Sequence, residues 1–158
     1  MTRFTVIAAV AIAIAFALSM AAASAQAPPP NPPDPHIADG SLQRRLDDAR
    51  RNWKAANVRS YRFDLARSCF CPPQKTRLVV VHGGVPKRWP SGLKPVATVP
   101  RLFQVIQDAI DARAAKITAA YGRRGVPREI YIDRAIYVAD EESGYSISRF
   151  TLLKPRAG

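Results

Sequence analysis

Histidine and cysteine are nearly missing from this chain: His36, His82, Cys69 and Cys71 are the only ones in 158 residues. Two thiols cannot build a four-thiolate zinc site or a multi-bridge disulfide scaffold. No Gly-x-Ser-x-Gly elbow is present to expose a nucleophilic serine. A Ser-His-Asp triad would have to use His82, because His36 lies in a Pro-rich stretch. There is no Cys-x-x-Cys at a helix start to stabilise a thiolate. Gly122-Arg-Arg-Gly-Val-Pro127 holds glycines and arginines but leads into no helix, so it is no phosphate-cradling loop. Acidic residues are also scarce, 12 against 24 basic ones, and their only cluster is Asp140-Glu141-Glu142. No catalytic residue, metal ligand set or cofactor is expected.

Long apolar runs are confined to the N-terminus. Arg3 forms a short charged start, Phe4 to Ala25 is apolar, and Ala23-Ser24-Ala25 is a small-x-small cleavage pattern. Residues 1–25 are therefore expected to be a cleaved signal peptide, which sends the protein to the periplasm or outside the cell. An uncleaved anchor is the alternative, since about 20 apolar residues span a bilayer. Cleavage leaves 23 basic residues against 12 acidic, spread along the chain in pairs. That excess suits an anionic partner, although a composition rich in arginine, alanine and proline accounts for it more simply. Export argues against nucleic acid as that partner, and no later run is apolar enough to be an integral membrane segment.

Residues 26–40 read as a Pro-rich linker sampling polyproline II, with His36 solvated. Residues 41–158 read as one domain. Leu42, Leu46, Ala49, Trp53 and Ala56 recur at helical steps, and Asp39 or Ser41 is placed to cap that helix. Tyr61, Phe63 and Leu65 alternate with Arg62, Asp64 and Ala66, as in a half-buried strand. A β-branched run then meets Gly83-Gly84, a tight hairpin turn into Val85–Trp89. Thr98 and Pro100 open a second helix with Leu102, Phe103, Ile106, Ala109 and Ile110 on one stripe. Three more strands follow, at 116–121, 128–133 and 145–153. The expected fold is α+β: a two-layer domain of order α-β-β-β-α-β-β-β, with an antiparallel sheet of about six strands and two helices on one face.

Trp53, Tyr-Arg-Phe-Asp-Leu-Ala-Arg-Ser-Cys-Phe-Cys-Pro-Pro (61–73), Leu102 to Ile110, Tyr121 with Gly125, Pro127, Ile130 and Asp133, and Ala139-Asp-Glu-Glu142 with Tyr145 and Ile147 make a pattern. In it the chain resembles exported bacterial proteins of domain of unknown function (DUF) family 6174, over Leu42 to Phe150. The Cys-x-Cys-Pro element and the late acidic element are its more specific marks. The resemblance implies an exported domain and no known activity. This chain has Tyr121-Gly122 where Tyr-Asp is usual, so an acidic site using that position would lack an oxygen ligand.

Cys69 and Cys71 are one residue apart. In an extended strand, residues i and i+2 lie about 6.6–6.8 Å apart with parallel side chains, whereas a disulfide needs Cβ atoms about 3.5–4.5 Å apart. A Cys69–Cys71 bridge is expected and requires a bend at Phe70, which Pro72-Pro73 favours. Redox exchange and free or intermolecular thiols remain alternatives. A copper or zinc site of Cys69, Cys71 and His82 is the weaker reading, as is a calcium site of Asp133 with Asp140–Glu142. The chain is expected to be a non-catalytic exported domain binding an envelope protein or an anionic surface. Lys87, Arg88 and Trp89, and Arg123 and Arg124, are the candidate contacts. A thiol-disulfide protein using Cys69 and Cys71 and an inhibitor of an exported hydrolase are the rivals.

Overall fold

Among the described residues, period-3.6 and period-2 apolar patterns become three α-helices and six strands: α1 (Pro35–Ala38), α2 (Ser41–Ala56), β1 (Tyr61–Cys69), β2 (Arg77–His82), β3 (Val85–Arg88), α3 (Val99–Asp111), β4 (Lys116–Tyr121), β5 (Pro127–Asp133) and β6 (Ser143–Leu152). The structure is a computed structural model and describes residues 31–72 and 75–154. The expected signal peptide, and the first residues of the Pro-rich stretch, lie outside the described residues.

The strands form one antiparallel sheet in the order β3-β2-β1-β6-β5-β4. The first strand thus pairs with the last, and both are central. Tyr61, Phe63, Leu65, Val79, Val81, Ile130, Ile132 and Ile147 are buried beneath Leu42, Leu46 and Ala49 of α2 and Leu102, Phe103 and Ile106 of α3. This is the expected α+β architecture, with the apolar sheet face covered and the other open. Among the described residues, every buried apolar side chain of the core falls between Leu42 and Ile147. Trp53 is half-buried at the end of α2, its ring edge-on to Tyr61 at 5.3 Å and to Phe150 at 6.1 Å.

Local chemistry explains the turns. Thr98 accepts a hydrogen bond from the Arg101 amide and caps α3. Gly83 and Gly84 both take positive φ, as the β2–β3 turn demands. Helix α2 departs from expectation: Gly40 in the left-handed region is its N-cap, and the Asp39 carboxylate accepts from the Ser41 amide. The same hydrogen-bonding to Ser41 lowers the Asp39 pKa.

The described part of the Pro-rich stretch differs from an extended polyproline segment. Pro35–Ala38 is a helical turn, and Asp34 before it is buried. The Asp34 carboxylate accepts from the amides of His36 (2.8 Å) and Ile117 (2.8 Å), while its own amide donates to the Ala114 carbonyl at 2.9 Å. One carboxylate thereby satisfies an unpaired β4 donor and pins the segment to the domain. His36 is exposed, as expected.

Strand direction sorts the connections into two ends. The β1–β2 loop, the exit from β3 and the β5–β6 loop lie at one end, here called the cysteine end. The Gly83-Gly84 turn and the β4–β5 turn at Arg123–Gly125 lie at the other.

Candidate functional site

The cysteine pair sits where the β1–β6 ladder stops. Cys69 is the last residue of β1 and is partnered by Ser143, the first of β6. Beyond it the Cys71 amide donates to the Cys69 carbonyl at 2.7 Å, which turns the chain at Phe70. The Cα atoms of Cys69 and Cys71 are 5.2 Å apart and their sulfur atoms meet. That spacing is shorter than an extended strand permits and places Phe70 at the outside of the bend, largely in solvent.

The ladder also brings the late acidic element to the cysteines. Arg67, Cys69, Phe70 and Cys71 from the β1–β2 side and Arg134 and Asp140–Ser143 from the β5–β6 loop line one groove of about 350 Å³. Asp133 is at the root of that loop and accepts from the Ala135 amide at 3.1 Å, an Asx turn rather than a ligand-ready carboxylate. Arg67 lines the groove, and its Nε is buried with no hydrogen-bond partner among the described residues.

On the other side of the cysteine turn lies a wider groove of about 900 Å³, lined by Pro72, Lys75, Arg77, Arg88, Trp89 and Leu93 among others. Its charged lining is entirely cationic, and among the described residues none of these cations ion-pairs with a carboxylate. Lys94 adds its ammonium 5.2 Å from the centre of the Trp89 ring. The turn therefore divides the end of the sheet into a basic groove and a mixed-charge groove.

Of the expected contacts, Arg88 and Trp89 line the basic groove, and Lys87 precedes them on β3. Arg123 and Arg124 sit in the β4–β5 turn at the opposite end, so the two basic pairs do not share a surface. Their turn is a packing device: Gly125 takes φ +75 and a Cβ there would overlap the Ala49 carbonyl. His82 ends β2 at the end away from the cysteines, so Cys69, Cys71 and His82 do not converge. Lys75 and Arg77 are the groove cations that sequence reasoning passed over. Their proximity to Arg88 depends on the β2–β3 pairing, although the basic character of 75–77 next to Pro72 was there to read.

The arrangement suits binding. Guanidinium and ammonium groups with no carboxylate partner among the described residues offer charge and forked donors to an anion. The cysteine pair shapes the wall between the grooves. An α+β sheet domain with a divided, charged loop end is the class of protein these features define. The chain belongs to the family of unknown function DUF6174, which residues 45–152 match. No curated protein and no solved structure matches it. Among the described residues no helix is long and apolar enough to cross a membrane.

Proposed function

We propose that this is an exported, non-catalytic binding domain that takes an anionic partner at the cysteine end of its sheet, with the Lys75, Arg77, Arg88 and Trp89 groove as the contact. The observation that carries the reading is the groove of about 900 Å³ whose charged lining is cationic and free of ion pairs among the described residues. Cations left without carboxylate partners are free to exchange hydration for a ligand anion. The leader-like N-terminus supports action in the periplasm or outside the cell. In that compartment Cys69 and Cys71 are joined as a disulfide that fixes the turn between the grooves.

The test is salt-dependent retention on immobilised dextran sulfate. The wild-type chain is retained at low ionic strength and released as screening shortens the Debye length to about 8–10 Å. Arg77→Glu/Arg88→Glu elutes at clearly lower salt, whereas Arg123→Glu/Arg124→Glu, at the far end and with the same change of net charge, loses much less. Equal losses from the two variants would make the retention a net-charge effect and remove the groove from the account.

One observation favours a second reading, a thiol-disulfide protein: the cysteines line a groove that also holds Arg67 and Arg134, and nearby guanidinium groups favour a thiolate. Rapid exchange with glutathione and a potential in the range of known oxidoreductases would support it.

A further inference from the structure

Large apolar side chains in solvent are few among the described residues, and most of them gather at the cysteine end. Phe70 is 79% exposed at the cysteine turn, and Ile136, Tyr137 and Val138 are 50%, 60% and 47% exposed on the β5–β6 loop. The two loops come from distant parts of the chain, and the Cys69–Ser143 pairing sets them side by side. We propose that this end docks on an anionic lipid bilayer, with Phe70, Ile136, Tyr137 and Val138 entering the headgroup layer while Lys75, Arg77 and Arg88 meet lipid phosphates. The proposal rests on the anion-binding reading above and names its partner.

Three features single out a bilayer. First, apolar and aromatic loop residues beside cations are the composition of an interfacial anchor, in which charge draws the protein to the surface and apolar groups enter it. Second, the apolar residues are presented on fastened loops. The β5–β6 loop is turned by the Val138 amide bonding the Ala135 carbonyl at 2.9 Å and is held by Asn31, whose side chain donates to the Arg134 carbonyl (2.8 Å) and accepts from the Ile136 amide (3.0 Å). Less ordering entropy is then lost on insertion. Third, that same Asn31 contact places the first described residue at the end that carries the exposed apolar loops, and the sequence before it holds the apolar run Phe4–Ala25.

Asp140, Glu141 and Glu142 oppose an anionic surface, and they share the β5–β6 loop. They line the smaller groove together with Arg67 and Arg134, whereas the wider groove brings cations alone. Each basic side chain near an anionic surface contributes about 1 kcal/mol, a factor of roughly five in affinity.

The experiment is vesicle co-sedimentation of the chain from Gln26, the expected mature form, which carries every core residue found among the described ones, with circular dichroism to confirm folding of each variant. Vesicles are phosphatidylcholine alone, or phosphatidylcholine with phosphatidylglycerol. The wild-type chain is expected to sediment with the anionic vesicles only. Ile136→Ser/Tyr137→Ser, which leaves the charge alone, is expected to lower that partition at least tenfold while its retention on dextran sulfate stays unchanged, and Phe70→Ser to lower it severalfold. Retention on dextran sulfate without vesicle binding would overturn the lipid proposal and leave the basic groove standing. Vesicle binding that ignores the loop substitutions would also overturn it, as charge attraction alone. Binding to neither vesicle nor dextran sulfate would remove both readings.

Discussion

Cys69 faces Ser143 across the β1–β6 ladder, and one step inward Ser68 faces Gly144. These two rungs hold the cysteine turn against the acidic loop. Their fit depends on the missing side chain of Gly144, where a Cβ would overlap Ser68 Oγ and come within 3.1 Å of the Ile130 carbonyl oxygen.

Gly144→Ala is therefore expected to destabilise the domain by about 1 kcal/mol, the low end of overpacking costs, because the exposed Ser68 hydroxyl can turn aside while the Ile130 carbonyl must give. Urea denaturation measures it. Adding Ser68→Ala removes one of the two clashes, so the double variant recovers part of the loss, and a double-mutant cycle reports a non-zero coupling. Full additivity would show that the rung is looser than described.

Alkaline pH is expected to weaken the fold. Burial raises the pKa of Tyr61 to about 12, against a smaller lowering by the Val99 amide that donates to its hydroxyl. Burial likewise raises Tyr121 to about 12, with Arg45 and Arg50 pulling it down. In both cases the folded pKa exceeds the unfolded value of about 10, so the unfolded chain loses its proton first. The stabilisation is whole below pH 10 and falls as pH rises toward 12, at roughly 1.4 kcal/mol per pH unit for Tyr61 and less for the half-buried Tyr121. Denaturation midpoints across that window check the slope. Tyr61→Phe removes its share of the slope, and at neutral pH costs about 1–3 kcal/mol by leaving the Val99 amide without an acceptor.

Asp34→Ala is expected to free the segment before α2. The change strips the Ile117 and His36 amides of their acceptor, an expected loss of about 1–3 kcal/mol for the buried donor. Hydrogen exchange should accelerate across residues 31–40 and at Ile117, and change little in β1. Asp34→Asn keeps one carbonyl oxygen and should lie between the two.

The cysteine pair is expected to matter for shape more than for stability. A bridge between residues two apart closes so short a loop that the chain-entropy relation gives roughly 1.5 kcal/mol. Cys69→Ser/Cys71→Ser should cost no more than that in urea denaturation. Intact mass of the protein isolated after export should show the leader gone and a mass one hydrogen pair below the reduced form, with no alkylation before reduction.

Patterns carried by neighbouring residues were legible in the sequence. The α2 and α3 stripes, the alternation of Tyr61, Phe63 and Leu65, the Thr98 cap and the Gly83-Gly84 turn each depend on residues within one turn or one strand. What depended on distant partners was not. The β1–β6 pairing joins the two ends of the domain. The burial of Asp34 answers an amide at Ile117, and a register shift in that ladder, with Arg149 at positive φ, lets its guanidinium reach the buried Asp64 carboxylate. The site divides in the same way. Arg88 beside Trp89 could be read locally, whereas Lys75 and Arg77 join them only through the β2–β3 hairpin. Phe70 and Ile136–Val138 carry no local mark of exposure, because an apolar residue in a loop reads the same whether it packs or projects.

Amide chemical-shift mapping with short inorganic polyphosphate tests the central claim most directly. The account predicts saturable shifts confined to the cysteine end, at residues 67–72, 75–78 and 88–94, that vanish in Lys75→Glu/Arg77→Glu/Arg88→Glu. Shifts centred on Arg123–Gly125, or a uniform response across all exposed basic residues, would contradict it.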